Sequence, residues 1–334
     1  MTRYSLLTGA LHMNNPSPYA IETDKLTKRF DHVTAVRGVD LAVEHGEIFG
    51  LIGPDGAGKT TLIRLLATVI PPTEGAARVL GHDITRDQEA IRAHIGYMPQ
   101  RFSLYGDLSV WENLNFFADV HGVRGKEREE QLKRLLAFAR LERFRDRRAR
   151  YLSGGMQKKL ALACALVHRP RILLLDEPTT GVDPVSRREF WDILAELLAD
   201  QVTIMVSTPY MDEAERCTRV GLMYRGDILV QDTPEAIIAR VPGTLLEIHI
   251  LPGEDGRLPM RRARDIVARV EGVDEVQIHG DQLRAFVAQP DAVLPRLRQV
   301  LDQARIPYST IQPGRPHLED AFIHILQSDI QQTP

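Results

Sequence analysis

Short apolar runs alternate with amphipathic stretches along the first two thirds of the chain. Ile48–Ile52 and Ile172–Leu175 are apolar runs bounded by a glycine and by an acidic pair, which is typical of buried strands. A helical pattern follows the first run, another lies around Arg187–Leu198, and Val202–Ser207 predicts the next strand. Strands that alternate with helices in this way indicate an α/β fold with a mostly parallel sheet.

Two regions depart from that alternation. Ile21–Thr23, Val33–Val36 and Val39–Val43 predict short strands ahead of the first buried strand, which we interpret as an antiparallel part. Between about residues 100 and 168 the pattern is helical only, and Arg124–Arg150 is crowded with charges of both signs. We interpret that charged stretch as the solvated face of a helical subdomain, with contact to lipid headgroups or a partner as the alternative.

The tripeptide Val241-Pro242-Gly243 predicts a domain boundary. We therefore expect a flexible N-terminal tail at residues 1–20, a main α/β domain at residues 21–241 and a small accessory α+β domain at residues 242–334. Within the accessory domain the sequence predicts a helix at Ile266–Val270, strands at Val276–His279 and Ala285–Ala288, and a helix at Ala292–Ala304.

Composition excludes several functional classes. The net charge of -3 over 334 residues gives no long-range attraction to nucleic acid, so we expect no nucleic-acid partner. The two cysteines, Cys164 and Cys217, lack the spacing of metal ligands. No apolar stretch reaches the ~18–20 residues that a membrane span needs. If the protein works at a membrane, other chains must supply the spans.

A glycine-rich loop follows the buried strand Ile48–Ile52 and matches the phosphate-binding loop pattern. Its glycines let successive N–H groups point at phosphates, and the start of the following helix adds positive potential. A lysine supplies a point charge, and a threonine hydroxyl is a suitable Mg²⁺ ligand. The predicted nucleotide-binding residues are Gly53, Pro54, Asp55, Gly56, Ala57, Gly58, Lys59, Thr60 and Thr61.

Two adjacent carboxylates, Asp176 and Glu177, end the buried strand Ile172–Leu175. At the carboxyl end of a parallel sheet, such groups face the ligand crevice. We expect Asp176 to organise Mg²⁺ and Glu177 to act as the general base toward a water molecule.

With these motifs in this order, residues from about 20 to 240 resemble the ABC ATPase family. The segment Leu152-Ser153-Gly154-Gly155-Met156-Gln157 looks like the family's signature motif. In its own right it is a capped helix start with exposed N–H groups, which suits an anion. The resemblance implies that Ser153, Gly154, Gly155 and Gln157 serve the ATP held by a second ATPase subunit, in a head-to-tail homo- or heterodimer.

Three further residues are assigned by the resemblance. Gln100 is similar to the glutamine that contacts Mg²⁺ and the attacking water and links the site to the helical subdomain. Phe30 resembles the aromatic residue that stacks on adenine, with a place in the core as the alternative. Asp183 resembles a loop aspartate that crosses the dimer interface, with a turn aspartate before proline as the alternative.

The sequence departs from the family pattern at Pro209, where members usually carry a histidine that contacts the γ-phosphate. Proline has no side-chain donor and no N–H, so it cannot make that contact. Three interpretations stay open: slow hydrolysis with Glu177 alone, substitution by Thr208 or Tyr210, or pairing with a different ATPase half in a heterodimer.

The C-terminal segment contains Pro316-His317-Leu318-Glu319-Asp320-Ala321-Phe322-Ile323 and looks like the accessory domain of bacterial multidrug and antibiotic exporter ATPases of the ABC-2 type. The resemblance implies an ATP- and Mg²⁺-dependent ATPase that drives a separate multi-span permease. It would lie in the cytoplasm, peripheral on the inner face of the cell membrane. The alternative is a soluble ABC ATPase of translation or DNA repair. A small GTPase is disfavoured because no Asn-Lys-x-Asp motif is present.

Overall fold

A computed structural model describes residues 17–101, 104–125, 128–253 and 256–332. Residue contacts divide the chain into two compact units, one ending at Pro234 and the other beginning at Glu235. None of the described helices combines the length and apolar character that a bilayer span requires.

The strands of the first unit form two sheets. In chain order they are β1 (Tyr19–Phe30), β2 (Val33–Glu44), β3 (Ile48–Ile52), β4 (Glu74–Val79), β5 (His82–Asp83), β6 (Ile95–Met98), β7 (Ile172–Asp176), β8 (Thr203–Thr208), β9 (Arg219–Tyr224) and β10 (Asp227–Asp232). One sheet is antiparallel, in the order β2-β1-β4-β5. The other has the order β10-β9-β3-β8-β7-β6, and only its β9–β10 pairing is antiparallel.

Helices connect these strands and build a helical region between β6 and β7. These helices are α1 (Lys59–Leu66), α2 (Gln88–Arg92), α3 (Val110–Val120), α4 (Arg128–Phe138), α5 (Gly154–Ala165), α6 (Pro184–Ala199) and α7 (Met211–Ala214). A further helix, α8 (Pro234–Ile238), follows β10. Two short 3₁₀ turns, Glu142–Phe144 and Ala149–Tyr151, precede α5. Every residue of β3 and β7 is buried, because these strands lie inside the parallel sheet between layers of other elements.

The second unit is a small α+β domain. Its elements are β11 (Thr244–Ile250), α9 (Met260–Val267), β12 (Val273–His279), β13 (Gln282–Val287), α10 (Pro290–Gln303), β14 (Tyr308–Pro313) and α11 (Leu318–Gln332). The strands form an antiparallel sheet in the order β12-β13-β11-β14. The βαββαβ succession with this order is the ferredoxin-like arrangement. Apolar residues of α9 and α10 pack on one face of the sheet.

The expected fold class is confirmed: a mostly parallel sheet, an antiparallel part, a helical subdomain and a small α+β domain. Three predictions of detail were wrong. The N-terminal tail does not extend to residue 20, because Tyr19 pairs with Glu44 and Ala20 is fully buried. The two runs Val33–Val36 and Val39–Val43 belong to the single strand β2. The helix expected at Ile266–Val270 is α9, which begins at Met260 because Ala263 and Val267 both face the core.

The division between the two units also differs from the sequence-based boundary. The sequence predicts it at residues 241–242, whereas the structure divides the chain before Glu235 and so assigns α8 almost wholly to the second unit. Residues 1–16 of the expected tail lie outside the described residues.

Candidate functional site

The glycine-rich loop joins β3 to α1 at the carboxyl end of the parallel sheet. Two of its glycines are required by close backbone approach. A Cβ on Gly53 would lie 2.1 Å from the carbonyl oxygen of Met223, and one on Gly58 would lie 2.2 Å from that of Ala35. Gly58 also has φ +112, a backbone conformation that residues with a side chain rarely adopt. The fold therefore holds this loop tightly against its neighbours.

A cavity of about 310 Å³ opens beside the loop. Its lining brings together most of the residues predicted from the glycine-rich loop and three residues from elsewhere in the chain, Ala35, Gln100 and Glu177. The lining consists of Ala35, Asp55, Gly56, Ala57, Gly58, Lys59, Thr60, Thr61, Gln100 and Glu177. Gly53 and Pro54 contribute differently, because their carbonyl oxygens accept hydrogen bonds from the Lys59 ammonium at 2.7 and 3.1 Å.

Lys59 is buried, with 4% of its surface exposed, and its ammonium lies 3.8 Å from the Glu177 carboxylate. Burial lowers the pKa of Lys59, while the carboxylates of Glu177, Asp55 and Asp176 act to raise it. The Lys59 ammonium thus lies among carbonyl oxygens and carboxylates, which hold this positive charge beside the loop.

Asp176 ends β7 and is fully buried. Its Oδ1 accepts hydrogen bonds from the hydroxyls of Thr60 at 3.0 Å and Ser207 at 2.8 Å. Its Oδ2 has no hydrogen-bond partner among the described residues. An unpaired carboxylate oxygen beside a threonine hydroxyl and a phosphate-binding loop has the hard-oxygen chemistry that Mg²⁺ prefers. These residues therefore fit a magnesium ion.

Glu177 adopts a left-handed backbone conformation, φ +45, directly after the strand. Its N–H donates to the backbone oxygen of Ser207 at 3.2 Å and to the hydroxyl of Ser207 at 3.0 Å, which helps to hold the strained residue. Its Oε2 accepts from the Gln100 amide at 2.8 Å and from the Thr180 hydroxyl at 3.3 Å. Because of this turn, the carboxylates of Asp176 and Glu177 contact different groups, Thr60 in one case and Gln100 in the other.

The sequence motifs did not identify Ala35, Thr180 or Ser207. Ala35 lies on β2, far from the loop in sequence, and reaches it only through tertiary packing. Thr180 follows Glu177 by one helical turn's spacing, and that is the single local signal that could have identified it. Ser207 is a hydroxyl on a buried strand, a pattern without specificity.

Gly154 and Gln157 of the signature segment line a second cavity, of about 440 Å³. Among the described residues, its lining shares only Gln100 with that of the first cavity. Ser153 caps α5, since its hydroxyl accepts from the Met156 N–H at 3.3 Å. Gly155 packs against α6, where a Cβ would lie 2.4 Å from that of Ser186. The amide of Gln157 donates to the carbonyl oxygens of Ala149 and Leu152 within the same chain.

For Phe30 and Asp183, which the resemblance assigns to nucleotide binding and to the dimer interface, the structure bears on the alternative interpretations. Phe30 is 45% exposed, with the Lys28 ammonium 5.0 Å from its ring centroid, so its interpretation as a core residue was wrong. Asp183 caps α6 by accepting from the N–H groups of Val185 and Ser186. Those hydrogen bonds, from Ser186 first, lower the pKa of Asp183.

Pro209 follows the last residue of β8. Of the two neighbours that could replace the absent histidine, neither lines the described part of the loop cavity. Thr208 is fully buried and its hydroxyl donates to Glu213 at 2.7 Å. The ring of Tyr210 lies 4.4 Å from the Arg187 guanidinium. Substitution by either side chain is therefore disfavoured.

Comparison with known proteins gives one consistent family. Residues 36–180 match the profile of the ABC transporter family. The chain is 42% identical to a probable multidrug ABC transporter ATP-binding protein of Escherichia coli K12, covering 92% of this chain and 52% of that protein. It thus spans about half the length of that relative. It is 38% identical to a Nod factor export ATP-binding protein of Paraburkholderia xenovorans, covering 93% and 98% of the two chains.

The fold agrees with that family. A solved dimeric structure of an ATP-binding cassette in a post-hydrolysis state, bound to ADP and Pi, superposes with a TM-score of 0.58 at 27% identity. It covers 64% of this chain and 98% of its own.

Proposed function

The chain belongs to the ABC transporter family, and we propose that it is an ATP-binding and ATP-hydrolysing subunit that powers a separate membrane permease. The observation that carries the proposal is the cluster of Lys59, Glu177 and Gln100 in the lining of the loop cavity, with Asp176 hydrogen-bonded to Thr60 of the same lining. Phosphate-binding groups and a carboxylate suited to activate water meet there in one place.

Nucleotide binding rests on residues 53–61. Successive N–H groups and the start of α1 surround the phosphates, and Lys59 neutralises their charge. Thr60 and Asp176, joined by a hydrogen bond, are the residues that would hold Mg²⁺, with Gln100 as a further oxygen donor. When bound, Mg²⁺ supplies positive charge that offsets the negative charge developing on the phosphates.

For hydrolysis, we propose Glu177 as the general base. Its carboxylate would accept a proton from the water that attacks the terminal phosphate. Gln100 and Thr180 donate to one oxygen of this carboxylate, so they fix its orientation. Because Gln100 lines both cavities, it also connects the base to the helical subdomain.

A second ATPase subunit would complete the site. Within one chain, the signature residues lie outside the loop cavity, so we propose that Ser153, Gly154 and Gly155 serve the nucleotide of a partner in a head-to-tail dimer. Gln157 would contribute less, because its amide is already used within the chain. Phe30, exposed at the end of β1, would stack on adenine, and Asp183 would reach the partner at the interface.

Export of drugs or other hydrophobic compounds is the transport function that the relatives' names favour. Those names are a multidrug transporter component and a Nod factor exporter component. We propose the inner face of the cell membrane as the location, with a multi-span permease as the partner. Pro209 favours a second candidate function: the hydrolysis-weak half of a heterodimeric ATPase pair.

The catalytic proposal is tested with Glu177→Gln. We expect the purified chain to hydrolyse ATP, and the variant to lose at least about a hundredfold in kcat while still binding ATP, because the amide cannot accept the proton. Glu142→Gln, at an exposed glutamate on a 3₁₀ turn, is the matched control. An unchanged rate in Glu177→Gln would show that another group is the base.

The transport proposal is tested by purification from membranes. Recovery of the chain with a multi-span permease supports it, whereas recovery with ribosomes or DNA contradicts it.

A further inference from the structure

Glu213 is a buried carboxylate that the nucleotide motifs do not include. It lies on the short helix α7 with 1% of its surface exposed. A buried carboxylate is costly unless it is hydrogen-bonded, and here each oxygen has its own donor. Oε1 accepts from the Thr179 hydroxyl at 2.6 Å, and Oε2 accepts from the Thr208 hydroxyl at 2.7 Å.

The two threonines belong to the two segments that border the reaction site. Thr179 lies two residues after Glu177, and the next residue, Thr180, donates to the Glu177 carboxylate. Thr208 ends β8 directly before Pro209 and also accepts from the Tyr210 N–H at 3.1 Å. Glu213 therefore ties the segment of the general base to the segment in which the usual histidine is absent.

A third segment joins the same carboxylate. Arg187, on α6, places its Nε 3.6 Å from Glu213 Oε1, and its Nη1 lies 3.7 Å from Asp212. The Arg187 side chain is held in turn by the ring of Tyr210. The carboxylate of Glu213 therefore contacts three segments: the turn after Glu177, the end of β8, and α6, the helix that Asp183 caps.

We propose that Glu213 is a positioning residue for ATP hydrolysis, an inference that rests on the proposed function. By holding Thr179 and Thr208 together, it fixes the turn that carries Glu177 in its left-handed conformation. With proline at position 209, the end of β8 has no imidazole to anchor it toward the nucleotide, and the Glu213 hydrogen bonds supply its anchor instead. Displacement of a base by about 1 Å can lower a rate by up to ~10²-fold.

The test measures kcat for ATP hydrolysis and the Kd of a fluorescent ATP analogue on the purified full chain. The variants are Glu213→Ala, Thr179→Val and Glu213→Gln, with Asp212→Asn as the matched control. Asp212 is the neighbouring acid on α7 and also faces Arg187, but its side chain is 71% exposed.

We expect Glu213→Ala and Thr179→Val to lower kcat about tenfold or more, with Kd within about threefold of the wild type. Glu213→Gln should recover most of the rate, because an amide can accept from one hydroxyl and donate to the other. Asp212→Asn should stay within about twofold.

Unchanged kcat in both Glu213→Ala and Thr179→Val would overturn the inference, and so would a parallel loss of nucleotide binding, which indicates a purely structural role. If Glu213→Ala does not fold, Thr179→Val decides alone, since it removes one hydroxyl and leaves the carboxylate its other partners. A wild-type chain that binds the analogue without hydrolysing ATP would contradict the proposed hydrolytic function, before any variant is compared, and would favour the hydrolysis-weak half of a heterodimeric pair.

Discussion

Pro209 is the residue that most directly limits the proposed chemistry. It stands one position beyond β8, where the resemblance implies a histidine donor to the γ-phosphate, and neither Thr208 nor Tyr210 is free to replace it. Loss of one such donor in a preorganised site typically costs ~10²–10³ in rate. The chain is therefore expected to hydrolyse ATP slowly.

The substitution Pro209→His should raise kcat, by about tenfold or more, because it restores a donor at the end of β8. The measurement is steady-state ATP hydrolysis by the purified chain, with nucleotide Kd measured in parallel. Pro209→Ala is the control, since it removes the proline without adding an imidazole. Equal rates in the two variants would attribute any gain to the backbone and contradict a histidine role.

Residues differ in how far the sequence alone could assign them. Lys59 and Thr60 belong to one contiguous pattern whose physical requirement is local, so their neighbourhood was predictable. Ser207 and Glu213 act through contacts between segments remote in sequence, and Thr180 contacts Glu177 only three residues before it, but a lone hydroxyl has no specific pattern. Asp183 shows the reverse case, because a helix cap and an interface aspartate have the same local sequence.

At the scale of elements, two helix ends are joined by a pair of histidines. His121 caps the C-terminus of α3, and His168 follows α5; their rings stack at 3.8 Å between centroids. His168 Nε2 bonds to the carbonyl oxygen of Ile95 at 2.8 Å, while its Nδ1 has no partner among the described residues. Burial and the neighbouring His121 lower the pKa of His168 to about 4.

This pKa makes the stability of the helical region depend on pH. In the unfolded chain the imidazole takes up a proton as pH falls below the ordinary value of 6.5, while in the folded chain it stays neutral until about pH 4. Acid therefore favours the unfolded state across that interval. We expect His168→Gln to reduce the loss of stability between pH 7 and pH 5 by on the order of 1 kcal/mol, measured by urea unfolding.

The matched control is His32→Gln, at an exposed histidine between β1 and β2. It should leave the pH dependence of the wild type intact. An identical pH dependence of unfolding in the wild type and His168→Gln would show that protonation of His168 does not contribute to the loss of stability in acid.

Predictability also varies among elements. The strands β3 and β7 were predicted within a residue because an uninterrupted apolar run has one stable place, inside a parallel sheet. The strand β2 was split in two because Arg37 and Gly38 are exposed where the strand pairing shifts register. The helix α9 was displaced because its outer face is arginine-rich, which hides the buried positions from a simple apolar pattern.

At the scale of the whole molecule, the second unit has a stabilising element of its own. Arg284 on β13 and Asp320 on α11 form a buried ion pair at 3.0 Å. Arg284 also donates to the carbonyl oxygen of Arg315, and Asp320 accepts from the His317 N–H. Asp320, in the segment Leu318-Glu319-Asp320-Ala321, thus attaches α11 to the sheet.

Breaking this pair should destabilise the second unit selectively. We expect Asp320→Ala to cost ~3–5 kcal/mol, because it leaves the Arg284 charge buried without its partner. The double replacement Arg284→Met with Asp320→Leu should cost less, since neither charge remains. Hydrogen exchange of the β11 and β13 amides measures both, and equal protection in Asp320→Ala and the wild type would contradict the assignment.

The position of β3 in the parallel sheet has a consequence for synthesis of the chain. This strand carries the nucleotide loop, yet both of its neighbours, β8 and β9, come much later in the sequence. The buried strand lacks both lateral partners until the ribosome has passed Thr208, and it lacks β9 until Tyr224, so aggregation competes with folding in that interval. A nascent chain can therefore bind nucleotide only late, after the loop's own residues have long been made.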